Sequence, residues 1–144
     1  MIFLQAFLLG IAAGMRTLVA PAAVMIALRV PGQWIAALLA LFEMYGDKSP
    51  QAPPRTAAPA LAARLLFGAL SAFALVFLGV QRPWSSPQLP WEAAAVGLVG
   101  ALAGAFGGLY VRTELSRPGM FPSLAVALLE DAAAILIAYV AVTL

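Results

Sequence analysis

The sequence contains no cysteine and no histidine, and it carries little charge. The first two absences exclude disulfides, thiolate nucleophiles, histidine-based catalytic triads and zinc sites built from Cys or His. The chain has eight Lys and Arg residues and six Asp and Glu residues, so its net charge is only +2. No basic patch dense enough to bind nucleic acid is therefore expected. Without histidine or cysteine, acid–base catalysis could use only Glu, Asp or Lys side chains, and the sequence contains no motif typical of such catalysis. Neither enzymatic activity nor a cofactor or metal is therefore expected.

Hydrophobic residues make up 64% of the 144 residues and the mean hydropathy is +1.00. A soluble domain has about 45–50% apolar residues, so this composition predicts an integral membrane protein, with residues 1–144 forming one domain. A helix needs about 20 apolar residues to cross the bilayer core. The sequence predicts an all-α, polytopic transmembrane helical bundle of about five hydrophobic segments, the first broken near Pro21. The segments are 2–30, 33–45, 59–80, 91–111 and 122–142.

Lysine and arginine are unevenly distributed between the two sides that five crossings would define. Cytoplasmic loops are enriched in these residues. The bias predicts a cytoplasmic N-terminus and an external C-terminus. The richer side holds Lys48, Arg55, Arg64, Arg112 and Arg117, and the poorer side holds Arg29 and Arg82.

Two stretches of the chain resemble each other. Arg16-Thr17 and Arg112-Thr113 each follow a glycine-rich helix and precede a proline and an apolar segment with an acid. Since an odd number of crossings would separate the copies, the pattern predicts an inverted repeat, a plan common in transporters. Similarity between alanine-rich helices is the alternative explanation. The repeat halves would be 1–50 and 91–144, with helix 59–80 between them.

Charged residues inside the apolar segments indicate where function lies. A charge at the centre of a membrane helix costs about 2.5–3.5 kcal/mol on insertion scales, so each needs a partner. Glu130 and Asp131 lie near the middle of the last segment, and Arg16 lies beside the break in the first. These groups form either an ion, solute or proton site or a structural ion pair. The candidate site residues are Arg16, Thr17, Glu43, Asp47, Glu130 and Asp131.

The stretch 43–59 is the densest polar part of the chain, and its prolines stiffen it. It is interpreted as an ordered loop that caps a cavity or binds an anionic head group, with a solvated connector as the alternative. The candidate loop and head-group residues are Lys48, Arg55, Thr56, Arg64 and Arg112.

Glycines recur at four-residue spacing in two segments. Small residues allow close approach of membrane helices, so this spacing predicts tight packing in the bundle or in a dimer. The residues are Gly10 and Gly14 in the first segment and Gly100, Gly104 and Gly108 in the fourth.

Three motifs together resemble those of a bacterial family of small integral membrane proteins classed as a domain of unknown function. They are Gly14-Met15-Arg16-Thr17 with Pro21, Asp47-Lys48-Ser49-Pro50 followed by Pro53-Pro54-Arg55-Thr56, and Glu130-Asp131. The resemblance covers nearly the whole chain. It implies a multi-span helical protein whose signature includes these polar residues, and it implies no activity.

Three functions remain open from the sequence. The first is a transporter or channel for an ion or small polar solute, expected to work as a homodimer in the lipid bilayer. The second is a lipid-binding or lipid-handling protein that holds a phosphate on its loop cations. The third is a structural assembly protein without a ligand.

Overall fold

A computed structural model describes residues 1–46, 57–79, 89–117 and 121–144, which form six α-helices and no strand. The predicted all-α helical bundle is confirmed, but six helices replace the five expected segments. Three of them, α4, α5 and α6, are long and apolar enough to cross a membrane. The helices are α1 (Ile2–Met15), α2 (Val19–Ala27), α3 (Gln33–Gly46), α4 (Ala58–Gly79), α5 (Leu89–Leu115) and α6 (Ser123–Thr143).

The first hydrophobic run is divided into two helices, as its proline predicts. Arg16 has extended backbone angles (φ −141°, ψ 113°) and ends α1, and α2 begins at Val19. Pro21 therefore lies in the first turn of α2, where a backbone N–H has no intrahelical acceptor and proline is tolerated. The break occupies the residues just before the proline.

Glycines bring α1 and α5 into backbone contact. A Cβ atom added to Gly10 would lie 2.9 Å from Cα of Gly100, and one added to Gly14 would lie 2.9 Å from Cα of Gly104. A step of four residues along α1 thus matches a step of four along α5 in the same direction, so the two helices run parallel. Their parallel course gives no support to an inverted relation between the segments that precede Arg16 and Arg112.

Helix α4 runs antiparallel to α1. Near the start of α4, Arg64 reaches the carbonyl oxygen of Gly14 at the end of α1. Near the end of α4, Val76 packs in one cluster with Ala6 from the start of α1. The start of α1 and the end of α4 therefore lie at the same end of the bundle, which we call the terminal end. The opposite end, where α4 begins, is called the far end.

The break reverses the chain, so α1 and α2 form a re-entrant hairpin. Leu28, directly after α2, lies beside Gly79 at the terminal end, since a Cβ added to Gly79 would lie 3.1 Å from the Leu28 side chain. Helix α2 thus returns to the end from which α1 started. The tip of the hairpin is at Arg16, and six residues of α4 precede the Arg64 that contacts it, which is about 9 Å of helix. The tip therefore lies inside the bundle.

Helix α3 turns back again after a tight connection in which Arg29 (φ 53°) and Gly32 (φ 88°) have left-handed backbone angles. It runs alongside α2 until Glu43 reaches the tip of the hairpin. Helix α6 enters from the far end, where α5 finishes, and Asp131 on it pairs with Arg16. Farther along, α6 joins the core around Leu9.

Both chain termini therefore lie at the terminal end. The sequence-based orientation assumed that the first hydrophobic run crosses the membrane, which would place the termini on opposite sides. In the structure this run forms two helices of opposite direction, so both of its ends lie at the terminal end of the bundle. The physical reason is the break at Arg16, which frees the chain to reverse its direction.

Candidate functional site

The re-entrant tip gathers ionisable side chains from four helices inside the apolar bundle. Four of them are buried, with 0% to 7% of their surface exposed. Each charge needs compensation there, because a buried unpaired charge is very costly. The four are Arg16 at the break, Arg64 on α4, and Glu130 and Asp131 on α6.

Arg16 forms an ion pair with Asp131, with 2.5 Å between Nη2 and Oδ1. Arg16 is fully buried, and its extended backbone takes it out of the helical path of α1. Removing one partner of a buried ion pair typically costs about 3–5 kcal/mol, because the other charge is left uncompensated. This pair joins the tip of the hairpin to α6.

Arg64 binds the carboxyl-terminal end of α1. Its Nη1 donates hydrogen bonds to the carbonyl oxygens of Gly14 (2.6 Å) and Met15 (3.2 Å). The last carbonyls of a helix have no intrahelical donor and carry the negative end of the helix dipole. The Arg64 guanidinium therefore supplies both a hydrogen-bond donor for these carbonyl groups and a positive charge at the negative end of the dipole.

Glu43 binds the amino-terminal end of α2. Its two carboxylate oxygens accept hydrogen bonds from the backbone N–H groups of Thr17 (2.8 Å) and Leu18 (2.7 Å). The first N–H groups of a helix lack acceptors and carry the positive end of the dipole, so a carboxylate is favoured. The two halves of the break are thus stabilised by side chains of opposite charge, each at the appropriate helix end.

Glu130 is directed to a different cation from its neighbour Asp131. Adjacent residues on a helix point about 100° apart, so the two carboxylates face different directions. Glu130 Oε2 lies 3.8 Å from Nη1 of Arg112, which is a longer contact than the pair at Arg16. The Arg112 side chain is 31% exposed, whereas that of Glu130 is 6% exposed.

A cleft of about 360 Å³ opens beside this second pair, between α5 and α6 with α1 behind. Glu130 and Arg112 are the charged residues of its wall, which is otherwise apolar. A second cavity of about 580 Å³ lies between α2, α3 and α6, and no charged side chain among the described residues lines it. The buried acid Glu130 is therefore the link between the charge cluster and the first cleft.

The structure brings most of the candidate ion-site residues together. Arg64, assigned from sequence to head-group binding, instead lies on the carbonyl groups at the tip. Arg112 lies at the edge of the site. Asp47, Lys48, Arg55 and Thr56 lie outside the described residues. The residues that meet at the tip are Arg16, Thr17, Glu43, Arg64 and Asp131, and Glu130 lies next to them with Arg112.

Sequence reasoning missed two polar groups. The backbone N–H of Leu18 contacts Glu43, and no side-chain pattern could reveal a backbone donor. Ser71 is 2% exposed on the same buried face of α4 as Arg64, and its hydroxyl has no hydrogen-bond partner among the described residues. The sequence signal that could have identified Ser71 is its position as a polar residue within the apolar run of α4. Within the described ranges no three His, Cys, Asp or Glu residues group to hold a metal.

The chain matches no protein-family model, no curated protein and no solved structure in the comparisons made with each. The resemblance to a family of small bacterial membrane proteins therefore stays a prediction.

Proposed function

We propose that this membrane protein transports or conducts an ion or a small polar solute, with the re-entrant tip as its site. The observation that carries the proposal is a broken helix inside the bundle whose two ends meet charged side chains of opposite sign. Non-helical backbone at membrane depth is found where it is buried in protein or lines a cavity. Discontinuous helices of this kind form the binding sites of many transporters.

Charge complementarity at the tip supports a site for a small ion. The N–H groups of Thr17 and Leu18 suit an anionic group, and the carbonyl groups of Gly14 and Met15 suit a cation. Glu43 and Arg64 fill these positions in the present state. An ion passing the tip would exchange with one of these side chains and keep the backbone groups paired.

Helix α3 is the element that would release its side chain most readily. Only Ala40 and Met44 of α3 are buried, whereas Arg64 belongs to a helix with five buried residues. Local opening requires less free energy where fewer apolar contacts are broken. Glu43 is accordingly assigned the role of a displaceable gate, and Asp131 holds Arg16 at the tip.

Flux into liposomes containing the purified protein tests this proposal. Asp131→Asn and Glu43→Gln should change the flux of ions or of a panel of small polar solutes by at least tenfold. Glu114→Gln is the matched control, because Glu114 pairs with Arg117 on the exposed surface. Unchanged flux in both site variants, with retained folding, would refute the proposal and favour a purely structural role for the cluster.

We further propose that the protein lies in the bacterial inner membrane with its far end in the cytoplasm. Arg112 and Arg117 lie at the far end, and the sequence that connects α3 to α4 there contains Lys48 and Arg55. The positive-inside rule then places both termini outside. A homodimer is proposed as the functional unit, because a single bundle of this size is thin for a pathway.

A further inference from the structure

The cleft between α5 and α6, called the slot below, has an apolar wall that carries one charged pair, Arg112 and Glu130. Its wall includes Ile11 and Met15 from α1, Gly107 from α5, and Val126 and Leu129 from α6. Helices α5 and α6 contact each other less than either contacts α1. The slot therefore lies where two neighbouring helices diverge.

Glycines of α5 determine the width of the slot. A Cβ on Gly104 would lie 2.2 Å from the carbonyl oxygen of Ile11, so this glycine serves the close contact with α1. A Cβ on Gly107 would have no neighbour within 4 Å, although Gly107 lines the cleft. Because Gly107 has no side chain, the space beside it in the cleft is not filled by the bundle.

Arg112 supplies the positive charge of the slot. Arg112 lies three residues before the end of α5, which is about 5 Å of helix, and its side chain is partly exposed. Its guanidinium has five N–H donors, and 3.8 Å from Glu130 is beyond hydrogen-bond distance. Donors of Arg112 are therefore available to an anion at head-group depth, while the remainder of the slot offers apolar contact.

We propose that the cleft binds a membrane phospholipid, with the phosphate on Arg112 and one acyl chain in the slot along Gly107. Arginine suits phosphate because its planar donors can form two hydrogen bonds to it at once. An apolar helix of a second copy would bring no acceptor to the Arg112 donors, whereas a phospholipid brings a phosphate. The slot adjoins the re-entrant tip through Met15 and Glu130, but lipid binding there does not depend on the transport proposal.

Native mass spectrometry of the delipidated full-length protein, titrated with phosphatidylglycerol in detergent, tests the proposal. The wild type should retain one lipid per chain. Gly107→Leu should reduce retention about tenfold by filling the slot, which corresponds to about 1.4 kcal/mol. Arg112→Gln should reduce it several-fold, and it should not reduce retention of a diacylglycerol, which has no phosphate.

Gly46→Leu is the matched control, because a Cβ on Gly46 also meets nothing within 4 Å and Gly46 lies outside the slot. It should retain lipid as the wild type does. If Gly107→Leu does not fold, Leu129→Trp fills the same slot from α6, where Leu129 is 57% exposed. Equal retention by the wild type and the slot-filling variant overturns the proposal. So does a dimer that only this variant loses, which would make a second copy the occupant.

Discussion

Buried charges in the described part of the chain are compensated by groups far away in the sequence. Arg16 pairs with Asp131, Arg64 binds carbonyl groups 49 and 50 residues earlier, and Glu43 binds amides 25 and 26 residues earlier. The sequence revealed these charges, because a charged residue stands out in an apolar run. It indicated Arg16 as the partner of the adjacent acids Glu130 and Asp131, but not which of the two acids would pair with it. It did not reveal the backbone carbonyl groups that Arg64 binds.

The Arg16–Asp131 pair should be far more important for stability than the surface pair of Glu114 and Arg117. Asp131→Asn leaves a buried guanidinium without its counter-charge, and we expect a loss of about 3–5 kcal/mol in the free energy of unfolding. Glu114→Gln should cost at most about 1 kcal/mol, because exposed pairs are screened by solvent. Chemical unfolding in detergent, followed by circular dichroism, measures both. Equal losses in the two variants would show that the buried pair is not a structural contact.

At the scale of a helix, the amino-terminal end of α2 depends on a carboxylate from α3. Leu18 at its N-cap position makes no side-chain capping bond, so Glu43 takes that function from another element. Glu43→Gln keeps an acceptor but removes the charge, and we expect a loss of about 1 kcal/mol. Hydrogen exchange of the Thr17 and Leu18 amides should accelerate, while the amides of α6 keep their wild-type rates. Unchanged exchange at Thr17 and Leu18 would contradict the capping role.

The contact between α1 and α5 predicts a contrast between two glycines three residues apart. Gly104→Ala places a Cβ within contact of the Ile11 backbone, which forces the helices apart and should lower the unfolding free energy by several kcal/mol. Gly107→Ala has open space and should raise it by about 0.5–1 kcal/mol, because alanine favours a helix. Thermal unfolding of both variants in the same detergent tests the contrast. A stable Gly104→Ala protein would show that the close contact is not required.

For the whole molecule, the re-entrant hairpin determines on which side each terminus lies. Since the chain has no cysteine, single cysteines can be introduced and labelled in intact cells with a maleimide that does not cross the membrane. Leu144→Cys should be labelled from outside, and so should a cysteine added before Met1. Ser116→Cys, after the end of α5, should be labelled only after the cells are opened. Labelling of the two termini from opposite sides would show that the first run crosses the membrane.

Composition and local pattern by themselves determined the class of this protein. Long apolar segments and the missing N–H of Pro21 act on the backbone locally, whatever the segments pack against. The helical bundle and the broken first run were therefore predictable from the sequence. Glycines at four-residue spacing likewise indicated which helix faces pack closely, but not which helices would meet.

Only the tertiary structure decided that α2 turns back, that α1 and α5 run parallel, and which of the two adjacent acids meets Arg16. These outcomes depend on contacts between residues 25 to more than 100 positions apart in the chain, such as Arg16 with Asp131. A local pattern carries no information on such distances. The same long-range packing leaves the cleft beside Gly107, because a void exists only once three helices have taken their places.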